Sequence, residues 1–254
     1  MIFITGDTHG SIDIRKLTSE KFPAGNKLTR SDYLIICGDF GLLWDDSNEE
    51  HYWLKWLDRK PWTTLWIDGN HENYDMIKDY PIEEWNGAEV QKITNNIIHI
   101  CRGNAFQLDG INFFFFGGAE SHDKEYRELG KSIWEEELPT EEEIQKGREV
   151  LEKINYKTDI VITHSMPSDI QNDIFFNKNY NINILTDFFE EIDGKLEYKM
   201  WFSGHYHLSM KHDDKHFLIF NNIVKVTKDG FERVYPSPEK SSSYDDLPSE
   251  FSVK

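Results

Sequence analysis

One phrase recurs along this chain: a short apolar run that stops abruptly in a polar cluster. IFITGDTHG opens at residue 2, and YLIICGDF (33–40), TTLWIDGNHE (63–72), DIVITHS (159–165) and KMWFSGHYH (199–207) follow it. Uninterrupted apolar runs of this length suit strands buried on both faces, because a half-exposed strand would alternate with polar residues. A chain built this way is expected to fold as a layered α/β domain.

Helical patterns lie between the runs. SNEEHYWLKWL begins at Ser47 with a capping-box pattern, Ser47 with Glu50, and Pro61 marks its end. PTEEEIQKGREVLEKI repeats the device with Thr140 and Glu143, and sets Ile144, Leu151 and Ile154 on one face. Gly147 weakens that helix without breaking it. Two hairpins are predicted, at 105–118 around Asp109-Gly110 and at 223–236 around Asp229-Gly230. The expected architecture is α/β: two mixed β-sheets packed as a sandwich and flanked by helices. One domain is expected over residues 1–235, with a loop and helix insertion at 119–150 near the site. The polar stretch 236–254, with its Pro and Ser residues, reads as a mobile tail.

Charge narrows the partners. With 46 acidic against 28 basic residues the formal net charge is −18, which argues against long DNA or RNA. A small phosphorylated substrate is compatible, provided bound cations reverse the local field. The two cysteines, Cys37 and Cys101, sit in apolar stretches and read as buried free thiols, which fits a reduced, cytoplasmic setting. The N-terminus reads as a working strand and not as a signal peptide, and no apolar run is long enough to span a membrane. Oligomeric state is left open.

The strand ends carry Asp7 and His9, Asp39, Asn70 and His71, His164, and His205 with His207. Five of the ten histidines fall there. Taken singly, a strand-end Asp or Asn is a turn or a helix cap, and a lone His is a hydrogen-bonded polar residue. Taken together, five strand ends with metal-competent groups and no Lys predict a site beyond the carboxyl ends of the sheet. Oxygen and nitrogen donors without thiolate suit Mn²⁺, Fe²⁺, Zn²⁺ or Ni²⁺, with Mn²⁺ the first expectation. The donors outnumber the needs of one ion with an open position, so two divalent ions are expected.

GDTHG, GDF, GNHE, a strand-end TH and GHYH, in this order over residues 6–207, resemble the five blocks of the calcineurin-like metallophosphoesterase superfamily. The resemblance implies a β-sandwich flanked by helices. It further implies one metal held by Asp7, His9 and His207, a second by Asn70, His164 and His205, and Asp39 bridging them. His71 would be the acid that protonates the leaving oxygen, opposite a hydroxide generated between the metals.

The pattern departs from the protein phosphatase branch of that superfamily. GDFGLLWDD places Leu42 and Leu43 where that branch has an Asp that orients the acid imidazole and an Arg that grips phosphate. Another group must orient His71, and Asp45 and Asp46 read as the start of the next helix. The segment 117–134, similar to a stretch in a subgroup of bacterial metallophosphoesterases, is expected near the site mouth. Arg127 is its candidate phosphate contact, Arg102 a second, and Trp44 and Trp134 are candidates to stack on a substrate ring; the ordinary readings are a surface ion pair for Arg127 and packing under a loop for each Trp. The activity implied is hydrolysis of phosphate esters, leaning to diesters because the phosphatase-type Arg is absent. Phosphomonoesterase, acting on a nucleotide or a protein phosphate, is the alternative; a non-catalytic scaffold of the same fold, or a site kept for stability alone, are the others.

Overall fold

The computed structural model describes residues 1–175, 180–236 and 245–253. Strands β1 (Ile2–Thr5), β2 (Tyr33–Ile36), β3 (Thr63–Trp66), β4 (Ile82–Trp85), β5 (Ala88–Lys92) and β6 (Ile97–Ile100) belong to one sheet. The next six build a second: β7 (Asn104–Leu108), β8 (Ile111–Phe116), β9 (Ile160–Thr163), β10 (Met200–Ser203), β11 (Ser209–Lys211) and β12 (His216–Leu218). The chain then returns to the first sheet with β13 (Ile223–Thr227) and β14 (Gly230–Tyr235). β15 (Asp245–Asp246) and β16 (Glu250–Ser252) add one edge strand to the second and the first sheet respectively. Both sheets are mixed: β1, β2, β3 and β6 run parallel, as do β8, β9, β10 and β12, with antiparallel strands outside them.

The apolar runs are continuous because both faces of these strands are covered. Ile2 and Ile4, Ile35 and Cys37, Leu65 and Ile67, and Ile160 and Ile162 fill the core between the sheets. Their neighbours Phe3, Leu34, Ile36 and Trp66 face an outer layer that includes Leu57 of helix α1 (Asn48–Asp58) and Ile77 of α2 (Tyr74–Lys78). On the other flank, Val161 and Trp201 meet α3 (Glu141–Lys153), α4 (Ser168–Phe175) and α5 (Ile184–Asp193) through Ile144, Ile170 and Phe189. Each such side chain, fully buried, contributes about 1.5–3 kcal/mol.

Several local expectations hold, and others are corrected. The Thr140–Glu143 capping box is reciprocal. At Ser47 only half of the box forms: Ser47 Oγ accepts from the Glu50 N–H, while the Glu50 carboxylate turns away to the Trp44 and Asp45 N–H groups. Helix α3 passes unbroken through Gly147, whose missing Cβ makes room for the Phe116 ring. The hairpin at Asp109-Gly110 is as predicted, whereas in the other Gly230 already pairs with Thr227, so its turn is Lys228-Asp229. A third hairpin, β4–β5 through Asn86-Gly87 at positive φ, was not predicted.

The mobile-tail expectation for 236–254 is corrected where the structure describes it. β16 pairs with β14, Leu247 is buried, and Phe251 packs on Phe217 and Phe231, because an open sheet edge beside an apolar face gives this segment partners. The rest of that segment, residues 237–244 and 254, lies outside the described residues. Cys37 and Cys101 are free thiols. Among the described residues no helix is long and apolar enough to cross a membrane.

Candidate metal centre

Parallel pairing lines up the strand ends. Thr5, Ile36 and Trp66 stand in register at the ends of β1, β2 and β3, and Thr163 pairs with Ser203 at the ends of β9 and β10. The polar clusters therefore emerge together, where the carboxyl ends of the two sheets meet. His9, Asp39, His205 and His207 all have positive φ, at 41°, 49°, 67° and 53°. Such backbone costs of order 1–3 kcal/mol per residue and persists only where the surroundings enforce it. Gly69 and Gly204 permit the crowding: a Cβ on either would collide with a carboxylate oxygen, of Asp39 and of Asp7 respectively.

Asp7, His9, Asp39 and His207 present one ligand atom each within 4.8 Å of one another. Asp7 Oδ2, His9 Nε2 and Asp39 Oδ2 are buried and have no hydrogen-bond partner. His9 Nε2 is 3.2 Å from Asp39 Oδ2 without the alignment of a hydrogen bond, and His207 Nε2 is 3.5 Å from Asp7 Oδ2. Buried polar atoms are almost always paired, so three orphans converging on one point fit a cation. The donor set, carboxylate and imidazole, is the one hard and borderline divalent ions take.

Asp39 also faces a second group. Its Oδ1 lies 3.2 Å from His164 Nε2, which is 3.3 Å from Asn70 Oδ1, and the His205 ring centroid is 5.1 Å from that of His164. Supporting bonds fix these orientations. His164 Nδ1 is 2.6 Å from the Cys37 carbonyl, His9 Nδ1 is 2.7 Å from Asp13 Oδ2, and Asn70 Nδ2 donates to Ser121 Oγ at 3.1 Å. Each leaves the other donor atom directed at the site.

The electrostatics favour ligation. Burial would raise the Asp39 pKa, but His164, His9 and His71 outweigh it and hold the carboxylate well below its ordinary value. Asp7 is pushed up by burial, against the pull of His164. Burial holds His205 and His207 down, hence neutral and able to ligate. His9 and His164 are raised to about 10 and about 9, because their carboxylate partners overcome burial. A cation bound there would have to displace those protons.

His71 sits beside this cluster. Its backbone N–H donates to Asp39 Oδ1 at 2.8 Å, and burial lowers its ring to about 4, with Arg127 and His9 adding to the shift and Asp39 opposing it. The Arg127 guanidinium lies 3.3 Å from both ring nitrogens, anchored by Asp123 at 2.6 Å and the Ser132 carbonyl at 2.9 Å. The loop 117–134 thus reaches the site, and Arg127 is the neighbour of His71 that sequence alone did not supply.

Other candidates stand elsewhere. Arg102 is buried against Asp68, with Nε at 2.7 Å, and donates to Tyr74 Oη at 3.0 Å, so it is corrected from phosphate contact to internal ion pair. Trp134 follows its ordinary reading as a packed residue and not the substrate-stacking one: it is buried, its indole N–H donates to Asp75 at 2.9 Å, and it packs edge-on against Trp44. Of these candidates Trp44 lines a cleft of about 350 Å³, which His9 and His71 also line. Asp45 and Asp46 lead into α1, as read.

Sequence reasoning missed the supports. Lys16 is buried and donates to the Gly6, Asp7 and Phe220 carbonyls at 3.0, 2.7 and 2.7 Å, and burial lowers it to about 8 against Asp7. Glu72 accepts from Phe40 N–H at 2.7 Å and Gly41 N–H at 3.1 Å, clamping the turn after Asp39. Glu137 accepts from the Ser121 N–H at 3.0 Å and so backs the residue that holds Asn70. Glu72 follows directly on Asn70-His71 and was open to notice; nothing local marks Lys16 or Glu137.

Two facing sheets thus carry, at the carboxyl ends of their strands, an Asp/His cluster with the donor set of a divalent-metal site. The family model described as calcineurin-like phosphoesterase matches residues 1–209, and the chain belongs to that family. A search of the curated proteins found no match. Among solved structures, GAP50, described as the anchor in the inner membrane complex of Plasmodium, aligns over 100% of this chain and 88% of its own, at 10% identity and a TM-score of 0.52. A candidate 5′-nucleotidase from Staphylococcus aureus, solved with alpha-ketoglutarate, aligns over 100% of this chain at 15% identity and a TM-score of 0.46. This chain covers 53% of that protein, about half its length. At 10% identity the likeness to GAP50 is one of fold alone.

Proposed function

We propose that this protein hydrolyses phosphate esters with two divalent cations, Mn²⁺ first among them. Asp7, His9 and His207 would hold one, Asn70, His164 and His205 the other, with Asp39 between. The observation that carries this reading is the three orphaned atoms, Asp7 Oδ2, His9 Nε2 and Asp39 Oδ2, converging in a buried site. The position of Asp39 between His9 and His164 supports the bridging role. Bound cations supply charge neutralisation at the phosphoryl oxygens and a nucleophile at neutral pH.

The chain's own groups do the rest. His71, held by its backbone to Asp39, donates a proton to the leaving oxygen. Burial lowers the pKa of its ring, and an arriving phosphoryl group brings the negative charge that favours the imidazolium. Arg127 grips the phosphoryl group beside His71. Its pairing with Asp123 leaves it partly neutralised, which suits a diester monoanion better than a monoester dianion. Diesters are therefore the first reading and monoesters the second.

The test is turnover by metal-depleted protein given back Mn²⁺, on an aryl phosphate monoester and its matched diester. Turnover should favour the diester, and Asp39→Asn should reduce it by about 10²-fold or more while the fold is kept. Removing the acid with His71→Ala should cost about 10²–10⁴-fold. Full activity in both variants would overturn the assignment of this site.

A further inference from the structure

The cleft of about 350 Å³ beside the metal centre has a composition of its own. His9 and His71 are among its lining residues, together with Trp44 and Trp53 and with Asp45, Glu49 and Glu50. Among the described residues that line it, none is Lys or Arg. Glu50 is only 6% exposed. Its Oε2 accepts from the Trp44 and Asp45 N–H groups at 2.5 and 3.0 Å, whereas its Oε1, also buried, has no hydrogen-bond partner. The Trp53 ring already carries a cation, with the Arg15 guanidinium 5.6 Å from its centroid.

We propose that this cleft seats the leaving group of the ester, and that it selects a planar, uncharged or cationic group while refusing a second anionic group. The inference rests on the phosphoesterase reading and deepens it. If His71 protonates the leaving oxygen, the group attached to that oxygen lies beside His71, and His71 lines the cleft. Indole walls favour a flat ring and, more strongly, a cation. Asp45 and Glu49, both exposed on the lining, repel an anion. A nucleoside monophosphate ester or an arylamine ester fits this description; a di- or triphosphate does not.

The experiment compares methyl aryl phosphates whose rings carry a 4-aminomethyl, a 4-methyl or a 4-carboxyl group, with Mn²⁺-loaded protein and correction for leaving-group pKa. We expect kcat/KM for the aminomethyl ester to exceed that of the carboxyl ester by about tenfold or more. In the double variant Asp45→Asn, Glu49→Gln the difference should shrink to about two- or threefold. Ligand-observed NMR on metal-free protein gives a readout independent of turnover. There 4-(aminomethyl)phenol should bind and 4-hydroxybenzoate should not, and Trp44→Ala should abolish the binding. Equal kcat/KM for the charged esters overturns the inference and leaves the phosphoesterase reading intact. Absence of turnover on every ester would sink that reading instead, and the NMR would then decide the cleft: selective binding of the cationic phenol supports it, equal binding or none overturns it.

Discussion

Glu72 contributes no ligand atom, yet both its oxygens are used to hold the Phe40 and Gly41 N–H groups, and with them the strained turn at Asp39. Gln at this position presents an NH₂ to one of those donors and leaves it unpaired. Glu72→Gln should cost about 1–3 kcal/mol in urea unfolding. It should also weaken Mn²⁺ binding by about 10–100-fold, read by calorimetry, as loss of outer-shell support does. An unchanged Mn²⁺ affinity would remove Glu72 from the support of the site. Glu137 makes a different prediction. Burial raises its carboxyl from 4.5 to about 7, against the hydrogen bonds from Ser121. Between those values the folded chain holds a proton that the unfolded chain has lost, so Glu137 makes stability fall as pH rises through that window. Glu137→Gln keeps an acceptor for Ser121 and has no such proton. In metal-free protein its stability relative to the parent should therefore rise between pH 5 and 8, by at most about 3 kcal/mol.

At the scale of elements, the five site strands were legible because apolar run and polar break are neighbours in sequence. The residues that proved different owe their places to distant partners: Arg102 bonds Asp68 across 34 positions, and Trp134 bonds Asp75 across 59. No local pattern announces such pairs. The β4–β5 hairpin had its Asn-Gly signal, but β4 is mostly exposed and lacks the apolar alternation that would have drawn attention to it. The C-terminal segment is the strongest case, since its polar composition concealed Leu247 and Phe251. Leu247→Ala should cost about 2–5 kcal/mol if the segment is docked, as truncation of a buried Leu does. A mobile tail predicts no change in thermal unfolding, so one melting curve separates the two.

At the scale of the whole molecule, the metal centre stands at one end of a sandwich whose cohesion lies elsewhere. The core between the sheets and the two outer layers hold the fold without help from Asp7, His9 or Asp39. Removing metal relieves no packing there; it leaves two buried carboxylates and their imidazoles to share protons, as the raised His9 and His164 allow. Chelated protein should therefore stay folded, with near-native far-UV circular dichroism and one cooperative transition, and be inactive. Adding Mn²⁺ should raise the unfolding temperature, with about 2.7 kcal/mol of added stability at a hundred times the dissociation constant. Outright unfolding on chelation would instead mean that the ions serve the fold, as in closed structural sites, and that the clustering of strained, orphaned side chains had a stabilising cause. The net charge of −18 bears on the same comparison. An anionic ester approaches a repulsive surface until cations reverse the field at the strand ends, so kcat/KM for such esters should rise with ionic strength in the metal-loaded protein, as added salt screens the surface more than the buried site. A fall with salt would show instead that the local field at the centre, and not the charge of the whole chain, governs capture of the substrate.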